Sequence, residues 1–385
     1  MEAYLDNSAT TKAFDEVAQL VAKVMTTEYG NPSSVHHMGV VSSGRLAEAR
    51  EIISGTLKVD PQEIVFTSGG TESDNMAILG AAKANAWRGK HIITTAIEHP
   101  AVLETTIHLE DEGFEVTYLP VGNDGVVDLD TLKNAIRQDT ILVSMMFVNN
   151  EIGAVEPIKE AGELIKRINP DTLFHVDAVQ AYGKVLIRPR AMNIDLLSVS
   201  SHKIHGPKGV GFLYIRKGAK VTPIVYGGGQ QKGMRSGTEN VPGIAGMALA
   251  AKKCYENFDA HIKELYELKK YLILSLEDRL TDIQINGPEC EKGAPHIVSL
   301  SIRGLAAETV LNMLSSKGIY VSAGSACTSN NPHISDTLQA IGLDKNLLES
   351  TIRISLSIMT TKEEIDYFLD TLCSQVETMR KFYRH

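Results

Sequence analysis

Between residues 63 and 215 short β-branched runs alternate with stretches of helical spacing, and no other feature of the 385-residue sequence constrains the fold as much. The apolar runs lie at 63–67, 92–96, 115–119, 140–148, 172–176, 196–200 and 210–215, with helical patterns at 72–88, 100–112 and 158–168 among them. A strand followed by a covering helix, repeated, predicts an α/β fold with a mostly parallel seven-stranded sheet flanked by helices. Asp60-Pro61 and Asn169-Pro170 separate elements, because proline cannot continue a helix and restricts the residue before it. After Gly243 the pattern changes to amphipathic helices at 244–258 and 262–279 and short strands near 296–302 and 350–357, which reads as a smaller α+β domain. Residues 226–240, rich in glycine and polar side chains, read as a long exposed loop, and loops of that length are usually functional.

The bulk numbers narrow the function class. Lys and Arg number 38 against 47 Asp and Glu, a net charge of -9, which argues against a protein that binds nucleic acid directly. No basic stretch followed by an apolar one opens the chain and no run approaches a membrane span, so the cytoplasm is the expected location. Cys254, Cys290, Cys327 and Cys373 show no C-x-x-C spacing, against a disulfide framework or structural zinc. His36-His37 and His202-x-x-His205 lack the i, i+4 spacing of a helical metal motif, so no metal is expected.

Three segments carry chemistry when taken together. Thr67-Ser68-Gly69-Gly70-Thr71-Glu72 follows an apolar strand and opens a helix, where backbone N–H groups and the helix dipole favour a phosphate. Alone, it is equally a simple N-cap. Phe174-His175-Val176-Asp177 puts an acid at a strand tip, and Ser198-Val199-Ser200-Ser201-His202-Lys203 ends the next strand with a lysine. In a parallel sheet both tips face one crevice, where ligands of open α/β folds bind. An anion cradle, a carboxylate and a lysine at one sheet edge are what pyridoxal phosphate needs: a lysine for its aldehyde and an anion for its ring nitrogen.

The motifs resemble those of the cysteine desulfurases in the class V aminotransferase group of pyridoxal-phosphate enzymes. The resemblance runs through Tyr4-Leu5-Asp6-Asn7-Ser8-Ala9-Thr10-Thr11, Gly30-Asn31-Pro32-Ser33-Ser34, Glu98-His99, Val148-Asn149-Asn150-Glu151-Ile152-Gly153, the Asp177 and Lys203 segments, Arg235-Ser236-Gly237-Thr238 and Gly324-Ser325-Ala326-Cys327-Thr328-Ser329. It implies the fold-type I architecture, with a large cofactor-binding domain over 15–255 and a small domain from 1–14 and 256–385 that carries the Cys327 loop. By the same resemblance Lys203 holds the cofactor, Asp177 pairs its ring nitrogen and His99 stacks on the ring and moves protons. Asn150 and Gln180 would reach its phenolic oxygen. Gly70, Thr71, Ser200 and His202 would hold the phosphate, joined by Thr238 from the other subunit of a homodimer. Arg353 matches the clamp for the substrate carboxylate, a task suited to a planar fork of donors, with Asn150 beside it.

Cys327 decides between reactions. Residues 322–332 are almost entirely small and polar, a setting that leaves a thiol accessible, whereas Cys254 and Cys373 read as core residues and Cys290 as a loop thiol. The implied activity takes L-cysteine to L-alanine and leaves the sulfur on Cys327 as a persulfide for an acceptor protein. The Gly-Ser-Ala-Cys loop speaks against kynureninase or aminotransferase chemistry, while selenocysteine lyase stays a rival. Lys203, Asp177, His99 and Arg353 together speak against a silent sulfur carrier. The sequence ends at Lys381-Phe382-Tyr383-Arg384-His385, short of the tail with which longer family members dock an iron–sulfur scaffold, so delivery to iron–sulfur assembly and to tRNA thiolation both stay open.

Overall fold

A computed structural model describes residues 1–323 and 335–383, the side chains of 381–383 excepted. In chain order the first elements are β1 (Ala3–Tyr4), α1 (Asp15–Thr26), α2 (His37–Leu57), β2 (Ile64–Thr67), α3 (Gly70–Asn85), β3 (His91–Thr95), α4 (Pro100–Asp111), β4 (Glu115–Leu119), α5 (Leu129–Ala135), β5 (Thr140–Met146), α6 (Ile158–Ile168), β6 (Leu173–Asp177), β7 (Leu196–Ser200) and β8 (Gly211–Ile215). Then come α7 (Val241–Glu256), α8 (Phe258–Arg279), β9 (Ile283–Asn286), β10 (Ile297–Ile302), α9 (Ala307–Ser316), β11 (Ile319–Tyr320), β12 (Ser322–Ala323), α10 (Asp336–Ala340), α11 (Lys345–Leu348), β13 (Thr351–Ser355) and α12 (Lys362–Tyr383).

All seven sequence-predicted strands join one sheet, in the order β2-β8-β7-β6-β5-β3-β4. It is mostly parallel: β8 alone runs against both its neighbours, β2 and β7. Alternation along the strands explains why both faces are covered. Val65, Ile92, Leu142, Leu173, Leu196 and Leu213 enter one core, and the next residue in β2, β3, β5, β6 and β7 (Phe66, Ile93, Val143, Phe174 and Leu197), with Phe212 of β8, enters the core on the other face. Burying each such side chain fully is worth roughly 1.5–3 kcal/mol, which is why β5, β6 and β7 carry no exposed position. The edge strand β4 is only partly buried and tolerates Glu115 and Thr117.

The predicted breaks have visible causes. Asp60 caps the short turn Pro61–Glu63 through a reciprocal box with Glu63. Asn169 ends α6 and donates from its side-chain amide to the carbonyls of Arg137 and Gln138. The third large cluster joins Ala3 and Leu5 to β10, β13, α8 and α12, with Leu300, Ile352, Ile354, Leu272 and Phe368 all fully buried. Ser355 N–H donates to the Leu5 carbonyl at 2.7 Å, so the first residues of the chain pack with its last third.

Three expectations are corrected. The helical patterns 244–258 and 262–279 are α7 and α8, nearly continuous and broken at Asn257, whose φ of -126° and ψ of 42° leave the helix. Strand β9 and helices α1 and α2 did not register as elements in the sequence pattern. Residues 226–240 are not uniformly exposed: Tyr226 is, but Gln231 and Ser236 are buried. Gln231 Oε1 accepts from Arg50 at 2.7 Å and from the Phe66 N–H at 3.1 Å, which ties the segment to α2 and β2.

Candidate active site

The carboxyl ends of β2, β3, β5, β6 and β7 open on one edge of the sheet, since β2 is antiparallel to β8 and β8 to β7. That edge receives the turn into α3, His99, Asn150, Asp177 and the segment Ser200–Lys203. A crevice of about 430 Å³ there is lined by Ala9, Thr10, Ser68, Gly69, Gly70, Thr71, Ser200, His202 and Lys208, among others. Gly69 sits at φ 154° and ψ -172°, a backbone open in practice only to glycine. The chain also passes close behind it: a Cβ on Gly211 would fall 2.8 Å from Gly69 Cα. The approach lets the first N–H groups of the sixteen-residue α3 face the crevice, a ready anion site. Glu72, in that first turn, is neutralised by Arg235 at 2.7 Å from the 226–240 segment.

His202 lies across the cradle, its Nδ1 3.2 Å from Thr10 Oγ1. Burial and the charges of Lys203, Lys208 and Lys184 push its pKa down to about 4, so it meets an anion as a neutral imidazole. Lys203 Nζ donates to the carbonyls of Ser8 at 2.5 Å and Ala9 at 2.8 Å, and its own carbonyl accepts from the buried Lys184. The N-terminal turn thus holds the lysine amine beside Ala9, which lines the crevice.

Asp177 ends β6 fully inside the protein, and its Oδ1 accepts from the Val179 N–H at 2.8 Å. Burial raises its pKa, opposed by that N–H and by the fields of His99 and Lys203. Asp74 and Glu98 stand behind it, both buried and both raised, chiefly by burial and further by the Asp177 charge. Adjacent buried carboxyls cannot all ionise, and a cation placed against Asp177 would keep the charge there. The ring nitrogen of pyridoxal phosphate would fit that position. His99 caps α4 through Nδ1, which accepts from the Ala101 N–H at 3.1 Å, leaving Nε2 for the site; burial lowers its pKa, while Asp177 raises it.

The residues fit the cofactor. Gln180 Oε1 is buried without a partner among the described residues, while its amide nitrogen donates to the Ser8 carbonyl at 2.9 Å. A phenolate oxygen needs a donor, and the second N–H of that amide can supply one. The Asn150 carbonyl accepts from Arg353 Nη1 at 2.8 Å. Arg353, on β13 and almost wholly buried, also binds Asp6 at 3.0 Å and keeps Nε without a partner among the described residues. Thr238 does not line this crevice; it is exposed and borders a separate cleft of about 280 Å³ with Tyr29, Asn31 and Pro32. Cys327 lies outside the described residues.

Sequence reasoning missed Asp6, Asp74, Lys184 and His175 as parts of the site. His175 is fully buried between Ser144 and Ser198 at 2.8 and 2.9 Å, 3.6 Å from Asp74, and burial holds its pKa down to about 3. Asp6 stood in a quoted motif without a role, and nothing local to Asp74 or Lys184 signals burial against a charge.

The class-V aminotransferase family model matches residues 3–368. The chain belongs to the class-V aminotransferase family. Within it, the chain is 45% identical over 379 residues to the cysteine desulfurase IscS of Dictyoglomus turgidum, covering 98% of this chain and 95% of that protein. It is also 45% identical over 377 residues to IscS of Methanosarcina thermophila, covering 98% and 92%. Among solved structures, a NifS-like protein superposes with a TM-score of 0.93 at 40% identity, covering 98% of this chain and all of that one. SspA, solved in complex with cysteine, superposes at 0.81 with 34% identity, covering 93% of this chain and 100% of that one. The protein is accordingly a cysteine desulfurase, an enzyme of the cysteine-to-alanine reaction with pyridoxal phosphate as cofactor. No helix among its described residues is long and apolar enough to cross a membrane.

Proposed function

We propose that the enzyme takes sulfur from L-cysteine onto Cys327 as a persulfide and passes it to an acceptor protein, for iron–sulfur cluster assembly, tRNA thiolation or both. The observation that carries this reading is the joining of an anion cradle, Lys203, Asp177 and His99 at one sheet edge, with Arg353 beside it. Lys203 would hold the cofactor aldehyde, Asp177 its ring nitrogen, His99 its ring face, and Gly70, Thr71, Ser200 and His202 its phosphate, with Asn150 and Gln180 near its phenolic oxygen. When bound, pyridoxal phosphate supplies an electron sink for negative charge at the amino acid's Cα.

The chain's own residues do the rest. Arg353 orients the substrate by its carboxylate, and Lys203, once the substrate amine has displaced it, stands with His99 as the base that moves the Cα proton. The Cys327 thiolate attacks the substrate sulfur; an S–S bond forms as the Cβ–S bond breaks, and the electron pair stays on carbon. That carbon takes a proton and leaves as alanine. Selenocysteine, with the same carboxylate and amine, would fit the same contacts.

The clamp is open to a direct test. Arg353→Ala removes a charged pair worth about 1.5–3 kcal/mol, so kcat/KM for cysteine should fall roughly 10- to 150-fold, mainly through KM. Arg353→Lys should recover only part, since an ammonium cannot present the planar fork. Unchanged kinetics in both variants would remove the clamp.

A homodimer belongs to the same reading. Met25, Tyr29, Val35, Val40 and Tyr226 are exposed apolar side chains near or on the segments that border the Thr238 cleft, and a second copy would cover them. Sedimentation of the holoenzyme should show a dimer, and Thr238→Ala should weaken cofactor retention; a fully active monomer would contradict the shared site. The partition into 15–255 and 1–14 with 256–385 is also part of this reading, supported by the separate cluster that unites Leu5 with residues 265–376.

A further inference from the structure

Arg353 is the centre of a charge arrangement larger than a clamp. Its Nη2 binds Asp6 Oδ1 at 3.0 Å, and its Nη1 binds the carbonyl of Asn150, the residue before Glu151. Glu151, next in the chain to that carbonyl, lies in the field of the same guanidinium without bonding it, so Arg353 has one carboxylate in contact and a second close by. Each carboxylate also accepts a bond from a serine far along the chain. Ser322 Oγ donates to Asp6 Oδ1 at 2.6 Å, and Ser335 Oγ donates to Glu151 Oε2 at 2.5 Å. Those serines are the residues of β12 and of the α10 cap that flank 324–334.

A substrate carboxylate on Arg353 would make a third anion around one cation in a dry site. Such a group of like charges is relieved when one of them accepts a proton or withdraws. We propose that Asp6 and Glu151 are positioning residues of the clamp, and that Glu151 takes up a proton as a carboxylate binds Arg353. Asp6, bonded to the guanidinium itself, is the group that shares or yields its place. Glu151 is the one suited to protonation: burial pushes its pKa up to about 7, Asp336 raises it further, and Arg353, Ser335 and Thr337 hold it down. Neutralising Arg353 removes one of those restraints. Among the described residues, Tyr4, Asp6 and His296 also bear on Arg353, and none of them is a cause of the Glu151 shift.

This inference rests on the reading of Arg353 as the carboxylate clamp, and the experiment separates the two. The probe is 3-mercaptopropionate, which carries cysteine's carboxylate and sulfur without the amine, titrated into holoenzyme by calorimetry in buffers of different ionisation enthalpy. At pH 7 wild-type enzyme should take up about 0.3–0.5 proton per site on binding. Glu151→Gln, checked for its bound-cofactor absorbance, should bind with that uptake lost and with affinity independent of pH between about 6 and 8. Ser335→Ala removes a bond that favours the charged form, so its uptake maximum should move to higher pH. Binding without proton uptake in wild type, or uptake unchanged in both variants, overturns the proposal while leaving the clamp intact. Equal binding by Arg353→Ala and wild type overturns the clamp itself.

Discussion

Lys203→Ala protein should fold, purify colourless and fail to regain the visible absorbance of bound cofactor when pyridoxal phosphate is added. The reason lies in where the amines sit. Lys203 Nζ is held by the carbonyls of Ser8 and of Ala9, which lines the crevice, and Lys184 is engaged by the Lys203 carbonyl. Alanine removes the amine proposed to hold the cofactor and to move the Cα proton, so cysteine turnover should fall by about 10³-fold or more. The fold should survive, because neither the apolar clusters nor a strand depends on this side chain. Lys208 lines the crevice and is the informative alternative. A normal absorbance band in Lys203→Ala, lost on adding Lys208→Ala, would move the attachment there.

Cys327→Ala should part the two halves of the reaction. It should bind pyridoxal phosphate normally and change its spectrum with cysteine, yet yield alanine and transferable sulfur at rates lower by about 10³-fold or more. Serine at 327 should behave alike, since a hydroxyl neither attacks the substrate sulfur usefully nor carries a persulfide. The other thiols supply the comparison. Burial pushes the Cys254 thiol up to about 12, and Cys373, in the cluster around Phe368, is likewise raised. Neither offers a thiolate at neutral pH, so Cys254→Ala and Cys373→Ala should retain sulfur transfer.

The fold was legible because the sheet is buried on both faces. Seven apolar runs could not be solvated, and the helical patterns between them left a mostly parallel sheet as the economical solution. Lys203, Asp177 and the turn into α3 were legible for a related reason: strand tips of a parallel sheet share an edge, so three separated segments had to meet. What escaped depends on tertiary burial. Glu151 and Asp74 are ordinary acids in sequence, and only their burial, with the Asp177 charge beside Asp74, gives them unusual proton affinities. Gln231 sits in a stretch whose composition reads as solvent-facing, yet one amide oxygen turned toward β2 and Arg50 anchors it. Helix α2 begins at His37, capped by His36, and contains three glycines and four serines or threonines, a composition that hides its helical stripe of Leu46, Ala49, Ile53 and Leu57. The direction of Gln180 was equally invisible, because it depends on a carbonyl at Ser8, 172 residues away.

The central claim is that sulfur leaves cysteine for Cys327. Holoenzyme should be given one equivalent of L-cysteine without reductant, trapped with an alkylating agent, digested and examined by mass spectrometry. The account predicts one extra sulfur on the peptide that holds Cys327, formed together with alanine and absent from the peptides of Cys254, Cys290 and Cys373. Alanine formed with no sulfur on Cys327, or the extra sulfur mapped to another cysteine, would contradict it.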